Sequence, residues 1–300
     1  MAKKRDVVVG IIIAGSFLVV LFFFAIMMLG MMSGGGDASF AGFGQRVGVI
    51  EISGVLTEGS GRPVVELLED WTDNSGIKAI VLHVNSPGGE VAISQEIYDA
   101  VVRARESKPV VVSMAAIAAS GGYYVSCGAD RIMANPGTLV GSIGVIMQFS
   151  TFGGLMDKVG MSMETVKSGE LKDVGNISRE MTDKEELMLQ SVVMDTYEQF
   201  VGVVAEGRGM EKEEVYPLAD GSVFTGLQAY NHGLVDSLGG LREAIGLAAD
   251  LAGIEGMPDI VRPRRESRSI WGGLFESFLG DLGHAVEKSI SGPRLLYLYQ

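Results

Sequence analysis

Ser120 stands in Ala118-Ala119-Ser120-Gly121-Gly122-Tyr123-Tyr124, at a point where two kinds of local pattern meet. The β-branched run Val110-Val111-Val112 before it reads as a buried strand, and a helix-compatible stretch begins at Gly121. A serine at such a junction aims its hydroxyl into a cleft. The backbone N–H groups that follow it, at a helix N-terminus, face any negative charge that develops there. That is the chemistry of acyl transfer. The same small residues also let a strand and a helix pack closely with no chemistry at all, so the segment has to be read with its surroundings.

A serine hydroxyl is a poor nucleophile until a base takes its proton. The chain has three histidines. His83 lies in a strand that precedes the serine, His284 lies near the C-terminus, and His232, in Tyr230-Asn231-His232-Gly233, reads as a turn residue. Lysine is the other candidate, and it works only as a neutral amine, which requires desolvation. Bringing an amine from about 10.4 to near 7 corresponds to roughly 4–5 kcal/mol of differential interaction, so such a lysine must be held in a buried place. Lys167 and Lys172, in Val166-Lys167-Ser168-Gly169-Glu170-Leu171-Lys172-Asp173, follow an alternating stretch at residues 161–166. Two solvated loop lysines would look the same. Residue types alone leave Lys172, Lys167 and His232 open as the base. The single cysteine, Cys127, excludes an intrachain disulfide and a CxxC metal site, and its apolar neighbours suit a small buried residue.

The elements that must position these groups recur as strand then helix. Residues 47–54 and 77–85 read as strands, the second ending in Ser86-Pro87-Gly88-Gly89-Glu90. Helical spacing marks Val64, Leu67, Leu68 and Trp71, and then Ile93, Ile97, Val101 and Ala104. Short strands are expected at residues 131–134 and 139–147. Thr182-Asp183-Lys184-Glu185 is a capping box that opens a long helix, with Leu189, Val193, Tyr197, Phe200 and Val204 facing inward. Units of this length imply a mainly parallel α/β core.

The chain has 300 residues, 47% hydrophobic and 20% charged, enough for one sizeable domain with attachments. A net charge of −13 argues against nucleic acid as a partner. Residues 7–32 carry no charge. As a helix they would run roughly 39 Å, longer than the bilayer hydrocarbon, and so could span it with tilt. Lys3, Lys4 and Arg5 precede them, which places the N-terminus in the cytoplasm and the rest of the chain on the extracytoplasmic side. Residues 33–46, with Gly34-Gly35-Gly36, read as a tether. Past residue 254 come a basic linker (Arg262, Arg264, Arg265, Arg268), an apolar stripe from Ile270 to Ile290, and an apolar tail ending in Tyr299-Gln300. The stripe suits docking onto the core, a membrane surface or a partner subunit.

Four ordered segments give this pattern a family. Asn85-Ser86-Pro87-Gly88-Gly89, Ala119-Ser120-Gly121-Gly122-Tyr123-Tyr124, Gly141-Ser142-Ile143-Gly144-Val145 and Lys167-Ser168-Gly169 followed by Lys172-Asp173 resemble the signal peptide peptidase A family. Its members are membrane-anchored serine proteases with a Clp protease/crotonase-like core of repeated β-β-α units. The resemblance covers about residues 47–253 and the anchor, and is to the short, single-domain form. It implies Ser120 as nucleophile, Lys172 as general base, Ser142 as the residue orienting the lysine, and Gly88 and Gly121 as oxyanion donors, with Gly88 preferred to Gly89. It implies no metal or organic cofactor. It also implies a ring-like homo-oligomer in which serine and lysine come from neighbouring subunits, and apolar peptides, including remnant signal peptides, as substrates. The C-terminal tail resembles those peptides and could enter an active site. Two other readings share parts of the pattern: a crotonase-like acyl-CoA enzyme, which would need neither Ser120 nor a lysine partner, and a catalytically silent membrane scaffold, which would be expected to lack the serine or the lysine.

Overall fold

A computed structural model describes residues 45–263 and, as backbone, residues 296–298. The expected anchor, nearly all of the tether, and the apolar stripe of residues 270–290 lie outside the described residues. Among the described residues no helix is long and apolar enough to cross a membrane.

The elements run β1 (Arg46–Ser53), α1 (Glu58–Asp73), β2 (Ile77–Ser86), β3 (Gly88–Glu90), α2 (Val91–Arg105), β4 (Val110–Ala119), α3 (Gly121–Ser126), β5 (Arg131–Ala134) and β6 (Leu139–Gly141). They continue with α4 (Gly153–Lys158), α5 (Asp183–Arg208), α6 (Lys212–Val215), β7 (Val223–Thr225), α7 (Gly226–Asn231), β8 (Ser237–Leu238), α8 (Leu241–Leu251), β9 (Asp259–Val261) and β10 (Leu296–Leu298). The main sheet has the order β7-β6-β4-β2-β1-β9, with β5 and β8 branching from β4. Its pairs are parallel except β6 with β7. The parallel α/β core expected from the strand–helix alternation is what forms.

β4 is the pivot. Its first half, Val111 to Met114, pairs with β5, and its last residues, Ile117 to Ala119, pair with β6. The change of partner carries the end of β4 away from β5, so Ser120 emerges at a fork in the sheet. Both faces of β4 are covered. Val110, Val112 and Met114 pack with α1, α2, α3 and α5 residues such as Leu68, Ile97, Tyr124 and Phe200, and Val111 packs with Ala244, Ala248 and Ala249 of α8. Burial of this kind contributes about 25 cal/mol per Å² of apolar surface and fixes the strand ends.

Several boundaries differ from the sequence reading. α1 starts at Glu58, ahead of Val64 where the helical spacing is first marked, because Thr57 and Ser60 form a reciprocal capping box. The strand expected over residues 139–147 stops at Gly141, where φ of +92° at Gly141 and +51° at Ser142 turn the chain. Residues 161–166 alternate in sequence but form no strand and are exposed throughout. In α5, Phe200 and Val204 are fully buried, whereas Leu189 and Val193 are only half-buried.

Cys127, beside Tyr123 under α5, is completely buried, and that burial pushes its thiol up to about 12. The folded protein is therefore expected to resist iodoacetamide at pH 8 and to react once denatured. Intact mass reads both states, and rapid native alkylation would show that this part of the core opens.

Candidate active site

β4 delivers Ser120 and α3 begins directly after it. The Ser120 backbone is at φ +52° and ψ −121°, a conformation that costs a side-chain-bearing residue about 1–3 kcal/mol. The surrounding bonds hold it there. Ser120 N–H donates to Gly141 O at 2.7 Å, and Ser120 O accepts from Tyr124 N–H at 2.8 Å. The side chain is 1% exposed and its Oγ has no hydrogen-bond partner. A hydroxyl left unsatisfied inside a packed domain is costly, so this one is available for something else.

The next residue faces a wall of glycine backbone. A Cβ added at Gly121 would meet Gly88 Cα and Gly89 N at 3.2 Å each, and Ser94 Oγ at 2.7 Å. A Cβ at Gly122 would lie 2.8 Å from Ser86 O, and one at Gly89 would lie 2.0 Å from Leu56 O. Glycine is therefore required at Gly121 by the approach of β3, at Gly122 by the end of β2, and at Gly89 by the Leu56 backbone that runs beside β3. Gly88 itself adopts φ +102°, and its N–H donates to Ser86 Oγ at 3.1 Å. Ser86, which sequence reasoning quoted without a role, in turn donates to Gly54 O at 2.7 Å.

The edge of β3 is occupied by the chain's own C-terminal strand. β10 pairs with it antiparallel, with Leu296 opposite Glu90, Tyr297 opposite Gly89 and Leu298 opposite Gly88. An extended peptide laid on a strand edge uses main-chain hydrogen bonds for affinity.

Ser142 joins the same junction. It follows Gly141, which accepts the Ser120 N–H, and its own N–H donates to Ser222 O at 2.7 Å. It is 7% exposed. Ser120, Ser142, Gly88 and Gly121 are thus gathered at the ends of β2, β3, β4 and β6. Lys172 is not with them. It lies in a single 3₁₀ turn, Glu170–Asp173, and is exposed; its backbone N–H donates to Gly169 O at 3.1 Å, but its amine makes no hydrogen bond or ion pair among the described residues.

The other candidates for a base are placed elsewhere. Lys167 is tied to Asp173 and donates to Glu170 O at 2.9 Å. His232 ends α7, exposed, with its ring 5.4 Å from that of Phe224. His83 lies mid-sheet, opposite Glu51 and Ser113.

The turn that carries Lys172 is anchored by charge. Arg179 donates to Asp173 Oδ1 at 3.0 Å and makes a bidentate pair with Glu185 at 2.6 and 2.8 Å. The Arg179 guanidinium, aided by the Thr182 N–H, lowers the Glu185 carboxyl from 4.5 to about 2, and Lys167 and Arg179 hold Asp173 well below the usual carboxylate range. Depressed folded-state values mean that these pairs stabilise fully above about pH 4.5 and lose that contribution as pH falls toward 2. Between those limits the melting temperature of the wild type is expected to fall more steeply than that of Glu185→Gln. Parallel slopes would remove the cluster from the acid response.

A mainly parallel sheet that holds a strained, buried serine at a strand–helix junction, beside glycine backbone, suits a serine hydrolase on an α/β domain. Comparison with known proteins narrows it. The Clp protease family model matches residues 46–139 and the peptidase family S49 model matches residues 103–255. A putative protease of Synechocystis sp. is 41% identical over 72% of this chain and 77% of its own length. A putative protease of Methanocaldococcus jannaschii is 38% identical over 76% of this chain and 72% of its own length. A putative signal peptide peptidase of Enterococcus faecium is 40% identical over 59% of this chain and 52% of its own length. The chain belongs to peptidase family S49 and is a serine peptidase. That membership sets aside the acyl-CoA reading, and the serine and lysine whose loss a silent scaffold would be expected to show are both present as Ser120 and Lys172.

Proposed function

We propose that the protein is a membrane-bound endopeptidase that cuts apolar peptides, remnant signal peptides among them, with Ser120 as nucleophile and Lys172 as general base. The observation that carries it is the unpartnered Ser120 Oγ, buried at a strained junction beside an edge strand that already holds an apolar segment in extended form. Ser120 Oγ attacks the scissile carbonyl while its proton passes to the neutral Lys172 amine. The N–H groups of Gly121 and Gly88 receive the oxyanion, the latter exchanging its bond to Ser86 Oγ for one to the substrate. Lys172 then protonates the leaving amine, and water, deprotonated by the same lysine, releases the acyl-enzyme. Ser142 orients the amine.

One protomer leaves Lys172 exposed and unpaired, whereas its role requires desolvation. Apolar side chains crowd the same segment: Phe152, Leu155, Val159, Met161, Met163 and Val166 are each at least half exposed. A patch of this kind fits an interface. A second copy covering it would desolvate Lys172 and carry it to a neighbour's Ser120, so the active form is an oligomeric ring. The charge-free residues 7–32, with basic residues before them, support a single membrane anchor with the peptidase domain on the extracytoplasmic side.

The test uses detergent-purified full-length protein and two fluorogenic peptides of equal length, one apolar and one charged. Cleavage of the apolar peptide is expected to dominate, and equal cleavage of both would defeat the substrate assignment. The tail gives a second check. A tethered strand on β3 competes with substrate at an effective concentration of about millimolar. Deleting residues 295–300 is expected to lower the apparent KM and leave kcat in place, and an unchanged KM would mean that the tail does not occupy the substrate edge.

A further inference from the structure

We propose that Arg179 is a positioning residue for the reaction, tying the Asp173 carboxylate to Glu185 at the foot of α5 and keeping it from pairing with the neighbouring Lys172 amine. This rests on the reading of Lys172 as the base. Between residues 144 and 184 not one residue is buried, so apolar packing within the protomer does not fix this segment. Polar contacts do. Asp173 Oδ1 accepts from Arg179 at 3.0 Å and from Lys167, while Oδ2 accepts from Asn176 Nδ2 at 3.3 Å. Glu185 Oε2 also accepts from the Thr182 N–H at 2.9 Å and Oγ1 at 3.0 Å. α5 is rooted in the core by Phe200, Val201 and Val204. A continuous mechanical path therefore runs from the core through Glu185 and Arg179 to the turn bearing Lys172.

The chemistry of the pair matters as much as the tether. A carboxylate adjacent in sequence to the base would hold the amine in its protonated form if it were free to turn toward it. The groups that face Asp173 are Lys167, Arg179 and Asn176, with Glu185 beyond Arg179 and the Glu170–Lys184 ion pair joining the turn to the start of α5. Arg179 and Lys167 both bond Oδ1 and Asn176 bonds Oδ2, so the carboxylate is held by partners other than the Lys172 amine. The lysine motif thus contains its own neutraliser: Lys167 serves Asp173, and Lys172 is left free.

The experiment measures kcat, KM and the pH–rate profile of the full-length, assembled protein on the apolar peptide for Arg179→Met, Arg179→Lys, Lys167→Met and the double variant Arg179→Met/Asp173→Asn. Arg179→Met is expected to lose roughly 10- to 100-fold in kcat with KM nearly constant, as misplacement of a catalytic group does. Its acid limb should move to higher pH. Adding Asp173→Asn should return the limb to its wild-type position, and Arg179→Lys should retain most of the rate. An acid limb that stays put in Arg179→Met, at whatever rate, overturns the proposal and leaves Arg179 a purely structural residue. Should Arg179→Met fail to assemble, Lys167→Met carries the test, with a smaller shift in the same direction expected and no shift overturning it. Failure of the underlying reading shows differently: Lys172→Ala would then stay active whatever Arg179 does.

Discussion

Ser120→Ala is expected to lose peptide cleavage by roughly 10⁴- to 10⁶-fold, the range found when a nucleophile is removed from an intact serine peptidase site. The fold should survive and melt at the same temperature or slightly higher. Alanine keeps the left-handed backbone at φ +52° as strained as before, so that cost does not change. What disappears is a buried hydroxyl without a hydrogen-bond partner, whose burial costs about 1–3 kcal/mol. Loss of activity with equal or greater stability is the signature of a residue kept for chemistry. A variant that melts well below the wild type would mean that Ser120 holds α3 against β4, and residual activity within tenfold would place the nucleophile elsewhere.

Lys172→Ala is expected to reduce kcat by roughly 10²- to 10⁴-fold or more, the usual contribution of a positioned general base. The protomer should be indifferent to the change, because the Lys172 side chain is exposed and its amine makes no hydrogen bond or ion pair among the described residues. Lys172→Arg should not recover activity. A guanidinium remains protonated and cannot accept the serine proton, even though it conserves charge and reach. Recovery by arginine would assign Lys172 an electrostatic role toward substrate. Full activity of Lys172→Ala would return the search to Lys167 and His232. Lys167 is engaged with Asp173, and His232 is exposed at the end of α7 against the Phe224 ring, so each would have to move to reach the buried Ser120.

The parallel core was legible because its strands are covered on both faces and therefore read as continuous apolar runs, as in Val110-Val111-Val112 and Ala79-Ile80-Val81-Leu82. The capping box at Thr182 was legible because both of its bonds are local, from Thr182 to Glu185 and back. Ser120 stood out for the same reason: a strand signal, small residues and a helix signal meet within a few positions. Residues 161–166 misled because alternation records which side chains seek cover without saying from what. Here no neighbouring strand exists within the described residues, and the side chains remain in solvent. The pairing of β10 with β3 joins residues about two hundred positions apart and leaves no periodic trace. Nor does the bond from the Gly88 N–H to Ser86 Oγ, which depends on a turn at φ +102° that the Pro-Gly-Gly triplet permits but does not specify. Arg179 was equally silent, since an arginine in a polar loop reads as solvated until Asp173 and Glu185 are folded onto it.

If, as proposed, Ser120 of one copy works with Lys172 of another, two inactive proteins should complement each other on mixing. Ser120→Ala and Lys172→Ala would each be purified in detergent, dissociated, combined in equal amounts and allowed to reassemble, with oligomer size followed alongside cleavage of the apolar peptide. If each site draws its two groups from neighbouring subunits of a closed ring, random mixing restores roughly a quarter of wild-type activity. If the mixed protein assembles to the same size and stays silent, serine and lysine belong to one chain, and the account of how Lys172 reaches Ser120 is wrong.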